Sequence, residues 1–125
     1  MNETEINIIT EKIIGAAYTV SNTLGAGFLE KVYENALRIE LRKIGLNVEQ
    51  QYPVTVYYYN EIVGEYYTDL YVNNEIIIEL KSVKNIEEIH KAQLLNYLKA
   101  TGKKYGLLIN FGNAKIDVKR LVYGY

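Results

Sequence analysis

Apolar residues recur at three- and four-residue steps over the first part of the chain, which is the spacing of one face of a helix. The apolar stripe consists of Ile6, Ile9, Ile13, Ala17, Val20 and Leu24. Gly25-Ala26-Gly27 interrupts the series, and a second helix is predicted from Phe28 to Ile44, with Gly45 as its C-terminal stop. The pattern therefore predicts that the chain opens with two amphipathic helices.

Runs rich in Val, Ile and Tyr follow the two helices and predict strands. These runs cover residues 48–59, 62–72 and 75–82. Asn60-Glu61 and Asn73-Asn74 are the expected turns between them, because asparagine tolerates the left-handed backbone of tight turns. Pro53 indicates an edge strand or a bulge, since proline cannot donate a ladder hydrogen bond.

The last third of the chain predicts a third helix and two more strands. Asn85 is the expected N-cap, with Glu88 completing a capping box, and the helix runs to about Ala100 before Gly102. The two strands cover residues 105–111 and 116–122. The element order αα-βββ-α-ββ is typical of one α/β domain, and we expect that domain to span residues 1–125.

Composition excludes several classes of protein. The chain of 125 residues contains no cysteine, so it has neither a disulfide framework nor a thiolate metal site. It lacks the ~18 unbroken apolar residues of a membrane span. Its acidic start, residues 1–5, lacks the basic region of a signal peptide, so we expect a cytoplasmic protein without a membrane partner.

Charge is distributed unevenly between the two parts of the chain. Residues 1–80 carry five Lys or Arg against twelve Asp or Glu, whereas residues 81–125 carry nine against three. A basic face beside a carboxylate cluster would suit a polyanionic substrate. Scattered, solvated lysines explain the same numbers equally well.

The strongest candidate chemistry is Asp69, followed ten residues later by Glu79-Leu80-Lys81. Glu79 and Lys81 would project from one face of a strand, and a hairpin through Asn73-Asn74 would bring Asp69 beside Glu79. Such an oxygen-rich cluster suits a hard divalent cation. A structural ion pair between Glu79 and Lys81 is the open alternative, because buried carboxylates are usually paired.

Further polar residues can belong to the same site. His90, Gln93 and Tyr97 share one face of the third predicted helix, where they can contact phosphates or simply be solvated. The opposite face, expected to pack on the sheet, carries Ile89, Leu94, Leu95 and Leu98. Glu30 lies in the first turn of the second helix, where the helix dipole alone favours an acid; a third acidic ligand is the alternative. A single histidine excludes a multi-histidine zinc site.

Residues 27–33, Gly-Phe-Leu-Glu-Lys-Val-Tyr, match the G-x-x-E-x-x-Y signature, so the chain resembles the GxxExxY proteins, a prokaryotic group of the PD-(D/E)XK nuclease superfamily. The resemblance spans nearly the whole chain and includes Asp69 and Glu79-Leu80-Lys81. Gln93-x-x-x-Tyr97 is also similar to the Q-x-x-x-Y element of RecB-type exonuclease domains. One departure is Thr68, which stands where the superfamily has a proline before the aspartate.

The resemblance implies an α/β, restriction-endonuclease-like fold: a three-layer core with a mixed central β-sheet flanked by helices. That core surrounds a divalent metal, Mg²⁺ or Mn²⁺. By similarity, Asp69 and Glu79 are metal ligands, and the Leu80 carbonyl contributes. Glu30 is the helical acid that completes the metal shell or positions water.

The resemblance also implies catalytic roles. Lys81 would orient or activate the attacking water and stabilise charge on the phosphate, while Gln93 and Tyr97 would support the site or hold the scissile strand. The predicted function is metal-dependent hydrolysis of phosphodiester bonds in nucleic acid, with DNA favoured over RNA and bound through its backbone. The alternative is a non-catalytic nucleic-acid-binding or protein-interaction module that retains the nuclease fold. A homodimer or a complex with a partner protein is also expected, because so small a domain has limited surface for gripping a duplex.

Overall fold

A mixed five-stranded β-sheet lies between two layers of helices in the computed structural model, which describes residues 1–124. The helices are α1 (Glu3–Leu24), α2 (Glu30–Lys43) and α3 (Glu88–Thr101). The strands are β1 (Val48–Tyr58), β2 (Glu61–Val72), β3 (Ile76–Lys81), β4 (Tyr105–Asn110) and β5 (Asp117–Val122). The architecture confirms the predicted three-layer α/β fold. No helix within residues 1–124 combines the length and apolar character needed to cross a bilayer.

The strands lie in the sheet in their chain order, from β1 at one edge to β5 at the other. Neighbours are antiparallel except β3 and β4, which are parallel because α3 connects them across one face of the sheet. Residues 76–80 of β3 are all buried, as expected for a central strand covered on both faces.

Each face of the sheet has its own apolar core. Side chains of α1 and α2 pack on one face against β3 residues such as Ile78 and Leu80. Leu94 and Leu98 of α3 pack on the other face, where Ile77 lies. Gly106 allows this close packing, since a Cβ there would lie 3.0 Å from a Leu94 methyl carbon.

The start of α3 differs from the prediction. The helix begins at Glu88 with Glu87 as its N-cap, and His90 completes the capping box by accepting a 3.0 Å hydrogen bond from the Glu87 amide. Asn85 therefore lies outside the helix. Ile89 and Leu95 are exposed rather than packed on the sheet, because only Leu94 and Leu98 of the predicted apolar face point inward.

The hairpin turns follow the asparagine signals closely. Asn73 and Asn74 both have positive φ, which confirms the predicted turn between β2 and β3. The other turn consists of Tyr59 and Asn60, one residue earlier than predicted, since Tyr58 already pairs with Glu61. Pro53 lies in the edge strand β1, as its missing donor predicts.

Strand β2 leaves the sheet halfway along its length. Only its last three residues, 70–72, pair with β3, while the rest pairs with β1 alone. The far parts of β1 and β2 therefore form a two-stranded ribbon that extends beyond the sheet and passes along α3. Gln51, with φ 54°, lies in β1 opposite the point where β2 diverges. The divergence opens a gap between β2 and β3, and the candidate site lies there.

Candidate active site

Asp69 and Glu79 face each other where β2 separates from β3. The Asp69 amide donates a 3.1 Å hydrogen bond to the Glu79 carboxylate, and the Leu80 amide donates a 2.8 Å hydrogen bond to the Asp69 carboxylate. Side-chain oxygens thus accept the hydrogen bonds of amides that the β2–β3 ladder leaves without strand partners. The hairpin holds the two predicted metal ligands side by side.

Both carboxyl groups have a pKa raised above its ordinary value. Burial and the nearby charge of Asp69 raise the pKa of Glu79 to about 9. Burial also raises the pKa of Asp69, against the lowering effect of the hydrogen bond from the Leu80 amide. Negative charge is therefore crowded at this point, which a cation would relieve.

Lys81 projects toward α3 rather than into an ion pair with Glu79. Its ammonium donates a long, 3.5 Å hydrogen bond to the Gln93 side-chain oxygen, and no salt bridge within residues 1–124 involves Lys81. The structural ion pair considered as an alternative for Glu79 is thus not formed. The amide of Gln93 donates in turn to the Tyr97 hydroxyl at 3.1 Å.

Tyr97 belongs to the same electrostatic neighbourhood as the carboxylates. Its pKa is raised by burial and by the negative charge of Glu79. The structure therefore brings Lys81, Gln93 and Tyr97 together beside Asp69 and Glu79. Strand β2 supplies Asp69, strand β3 supplies Glu79 and Lys81, and helix α3 supplies Gln93 and Tyr97. All five residues were predicted as members of one site.

Glu30 reaches the same site from the first turn of α2. Burial raises the pKa of Glu30, the charge of Lys81 lowers it, and the charge of Asp69 raises it. The helix-dipole explanation and the role of a third acidic ligand are therefore both compatible with the position of Glu30. It lies where the helix dipole favours an acid, and it also lies near the candidate metal ligands.

The G-x-x-E-x-x-Y segment positions Glu30 through its tyrosine. Tyr33 is fully buried; its hydroxyl donates to the Gly25 carbonyl at 2.6 Å and accepts from the Phe28 amide at 3.2 Å. Its ring stacks on Phe111 with centroids 4.7 Å apart. Gly27 has φ 111°, a conformation that favours glycine. Tyr33 therefore fixes the loop from which α2 starts.

Sequence reasoning missed Glu34, a carboxylate of α2 that is only 3% exposed. Glu34 accepts hydrogen bonds from Gln50 and, at 3.0 Å, from Gln51, and it forms a 2.9 Å ion pair with Lys31. Its charge raises the pKa of Asp69. The signal was present, since Glu34 lies one helical turn after Glu30 and hence on the same face.

Gln51 was also missed, and the sequence holds no comparable signal for it. Its amide donates to Glu34 at 3.0 Å and to Asp69 at 3.5 Å, so it bridges the α2 acid and the β2 acid. This reach depends on the positive φ of Gln51, which a glutamine in a strand pattern does not predict. His90, by contrast, serves the capping box of α3, where its Nδ1 accepts a hydrogen bond from the Glu87 amide.

The donor set fits a divalent metal. Within residues 1–124, no three His, Asp or Glu side chains converge as they stand into a ready-made metal cluster. Magnesium, however, commonly uses one or two carboxylates and retains several waters. Partly buried Asp69 and buried Glu79 supply two such carboxylates, and the charge of Asp69 beside Glu79 favours a cation.

Comparisons with known proteins identify the superfamily and support the fold. A model of the PD-(D/E)XK nuclease superfamily matches residues 7–121, and the chain belongs to this superfamily. Its members generally use divalent metals. The fold is similar to the crystal structure of SSO0001, with a TM-score of 0.57 and 19% identity over 98% of this chain. The match covers 61% of that larger chain. No curated protein matches the sequence.

Proposed function

We propose that the protein is a metal-dependent nuclease that hydrolyses phosphodiester bonds in nucleic acid, with DNA favoured over RNA. The observation that carries the proposal is the meeting of Asp69, Glu79 and Lys81 at the divergence of β2 and β3. Membership of the nuclease superfamily supports it. The finer assignment to the GxxExxY group rests on residues 27–33 and is part of the proposal.

Asp69 and Glu79 would hold the ion, with the Leu80 carbonyl as a further ligand and Glu30 as the acid that completes the shell or positions water. We favour Mg²⁺ or Mn²⁺, because both accept carboxylate and carbonyl oxygens. When bound, such an ion stabilises charge on the phosphate and acidifies a water molecule.

The chain's own groups supply the remaining chemistry. Lys81 lies beside the carboxylates without a carboxylate partner of its own in residues 1–124, so its charge is available to a phosphate oxygen or an attacking water. Gln93 orients the Lys81 ammonium, and Tyr97 orients Gln93 through the 3.1 Å hydrogen bond. Together they would hold the scissile strand against the ion.

The test is cleavage of labelled single- and double-stranded DNA and RNA with Mg²⁺, with Mn²⁺ and with EDTA. We expect cleavage that requires metal, and a loss of at least about 100-fold in Asp69→Ala, since several kcal/mol of charge stabilisation depend on the ion. Asp117→Ala is the matched control, because Asp117 lies on the far edge strand in a half-exposed ion pair with Lys119. Folded wild-type protein that cleaves none of these substrates would favour the non-catalytic binding or interaction module instead.

The sequence-based expectations of a homodimer and of a cytoplasmic location stay predictions. Sedimentation velocity of the purified chain tests the first of them. The activity and partners of the larger SSO0001 chain are not transferred, because at 19% identity that similarity concerns the fold.

A further inference from the structure

A groove of about 1000 Å³ runs between the β1–β2 ribbon and α3. Sites of about 300–1,000 Å³ hold drug-sized ligands, which are larger than a nucleobase. The groove opens directly onto the candidate active site, because Gln93 and Tyr97 line both. A ligand in the groove would therefore be continuous with one bound at Asp69 and Lys81.

Aromatic rings line the groove. Tyr57 and Tyr66 come from the ribbon and Tyr97 from α3, and the rings of Tyr66 and Tyr97 lie 5.8 Å apart. Tyr57 is 63% exposed and Tyr66 is 50% exposed. Two large, exposed rings thus lie along the groove.

The charge of the groove suits an anion. Lys99 lies among its lining residues, and none of the residues that line it in the described part of the chain is acidic. Exposed rings together with a cation and continuity with a phosphodiesterase site match the requirements of a nucleic-acid strand. A protein partner would use the rings but has no comparable need for the adjoining cations Lys81 and Lys99.

We propose that this groove binds single-stranded nucleic acid, with bases stacked on Tyr66 and Tyr57 while a phosphate of the same strand lies at the candidate active site. Stacking requires unpaired bases, because a duplex buries their faces. The inference rests on the proposed function for its choice of nucleic acid as the ligand. It adds a substrate class: a single strand, or an end or junction with unpaired bases.

The experiment measures fluorescence anisotropy of a fluorescein-labelled oligothymidylate and of a duplex of the same length, both in EDTA so that no cleavage occurs. We expect tighter binding of the single strand. Tyr66→Ala and Tyr57→Ala should each weaken that binding roughly 5- to 100-fold, the loss of one stacked base. Tyr66→Phe keeps the ring and should stay within about twofold of the wild type.

Tyr67→Ala is the matched control, because Tyr67 is the next residue, is similarly exposed and does not line the groove. Thermal melts of every variant exclude unfolding as the cause of weak binding. Equal affinity for single strand and duplex would overturn the proposal, and so would equal losses in Tyr66→Ala and Tyr67→Ala. Failure to bind any nucleic acid would overturn it as well, and would favour a protein in the groove.

The same variants separate this proposal from the proposed function. Metal-dependent cleavage that is lost in Asp69→Ala but unchanged in Tyr66→Ala would leave the nuclease standing and overturn the groove proposal. Tyr66-dependent binding of the single strand without any cleavage would support the groove and contradict the nuclease.

Discussion

Glu79 carries the largest electrostatic cost in the site. It is only 6% exposed, its neighbour is another carboxylate, and Lys81 turns toward Gln93 instead of pairing with it. A buried acid without a cation prefers its protonated form. The effect of a Glu79 substitution on stability therefore distinguishes a metal site from a purely structural role.

The raised pKa of Glu79 predicts how metal-free stability depends on pH. The unfolded chain releases this proton near pH 4.5, whereas the folded protein holds it until about pH 9. Between these values the folded state binds more protons, so the free energy of unfolding falls as pH rises. Urea unfolding in EDTA at several pH values measures the slope, and Glu79→Gln should flatten it and raise stability at the alkaline end.

Exposed Glu49 of β1 provides the control variant Glu49→Gln, which should keep the wild-type slope. Addition of Mg²⁺ should recover stability in the wild type at alkaline pH but not in Glu79→Gln. A structural role for Glu79 makes the opposite prediction, namely that Glu79→Gln unfolds more easily at every pH, with or without metal.

Individual residues were predictable where their chemistry conflicts with their surroundings. Glu79 stood out because it interrupts an apolar run, and Asp69 because it lies ten residues before Glu79 with a turn signal between them. Glu34 was missed although its place one helical turn after Glu30 puts both acids on one face of α2. Gln51 did not stand out, since one glutamine in a strand is ordinary and its role arises from tertiary contacts that spacing along the chain does not encode.

The loop between α1 and α2 is the element that delivers Glu30 to the site. The Tyr33 hydroxyl binds both Gly25 and Phe28, so a single side chain closes the loop, and the Phe28 carbonyl accepts a 3.0 Å hydrogen bond from Ser82 after β3. The loop is thereby attached to the strand that carries Glu79 and Lys81. We interpret Tyr33 as a positioning residue.

Tyr33→Phe tests whether Tyr33 positions the loop between α1 and α2. The change keeps the ring on Phe111 but leaves Gly25 and Phe28 without their side-chain partner, so unfolding should cost about 1–2 kcal/mol less. The cleavage rate should fall as well, because Glu30 loses its fixed position. Tyr18→Phe, a partly exposed tyrosine of α1, is the control in urea unfolding and cleavage. Equal effects of the two changes would contradict the positioning role.

The elements themselves were predictable from periodicity, and their ends were less so. The asparagine turn at 73–74 was found because asparagine tolerates positive φ. The start of α3 was missed because Glu87 and His90, an unusual capping pair, replace the expected Asn85 and Glu88. The divergence of β2 from β3 was also unpredictable, since residues 61–69 keep a strand pattern although they leave the sheet.

At the scale of the whole molecule, the candidate site lies at the boundary between the acidic and basic parts of the chain. The acids of α2, β2 and β3 come from the first 80 residues, whereas Lys81 and the lysines of α3 come from the remainder. The uneven charge is thus compatible with a phosphate that lies between a metal ion, held by the acids, and the lysine side chains. The single domain predicted for residues 1–125 stays a prediction, which coincident unfolding by two probes would test.

The most direct test of the proposed active site is the single-turnover cleavage rate of Lys81→Met at saturating Mg²⁺ and enzyme. We predict a rate about 100- to 1,000-fold below that of the wild type, the usual loss when one group that stabilises transition-state charge is removed. Lys84→Met, an exposed lysine three residues further along, should cleave at the wild-type rate. A Lys81→Met protein that cleaves as fast as Lys84→Met would contradict the assignment of this site.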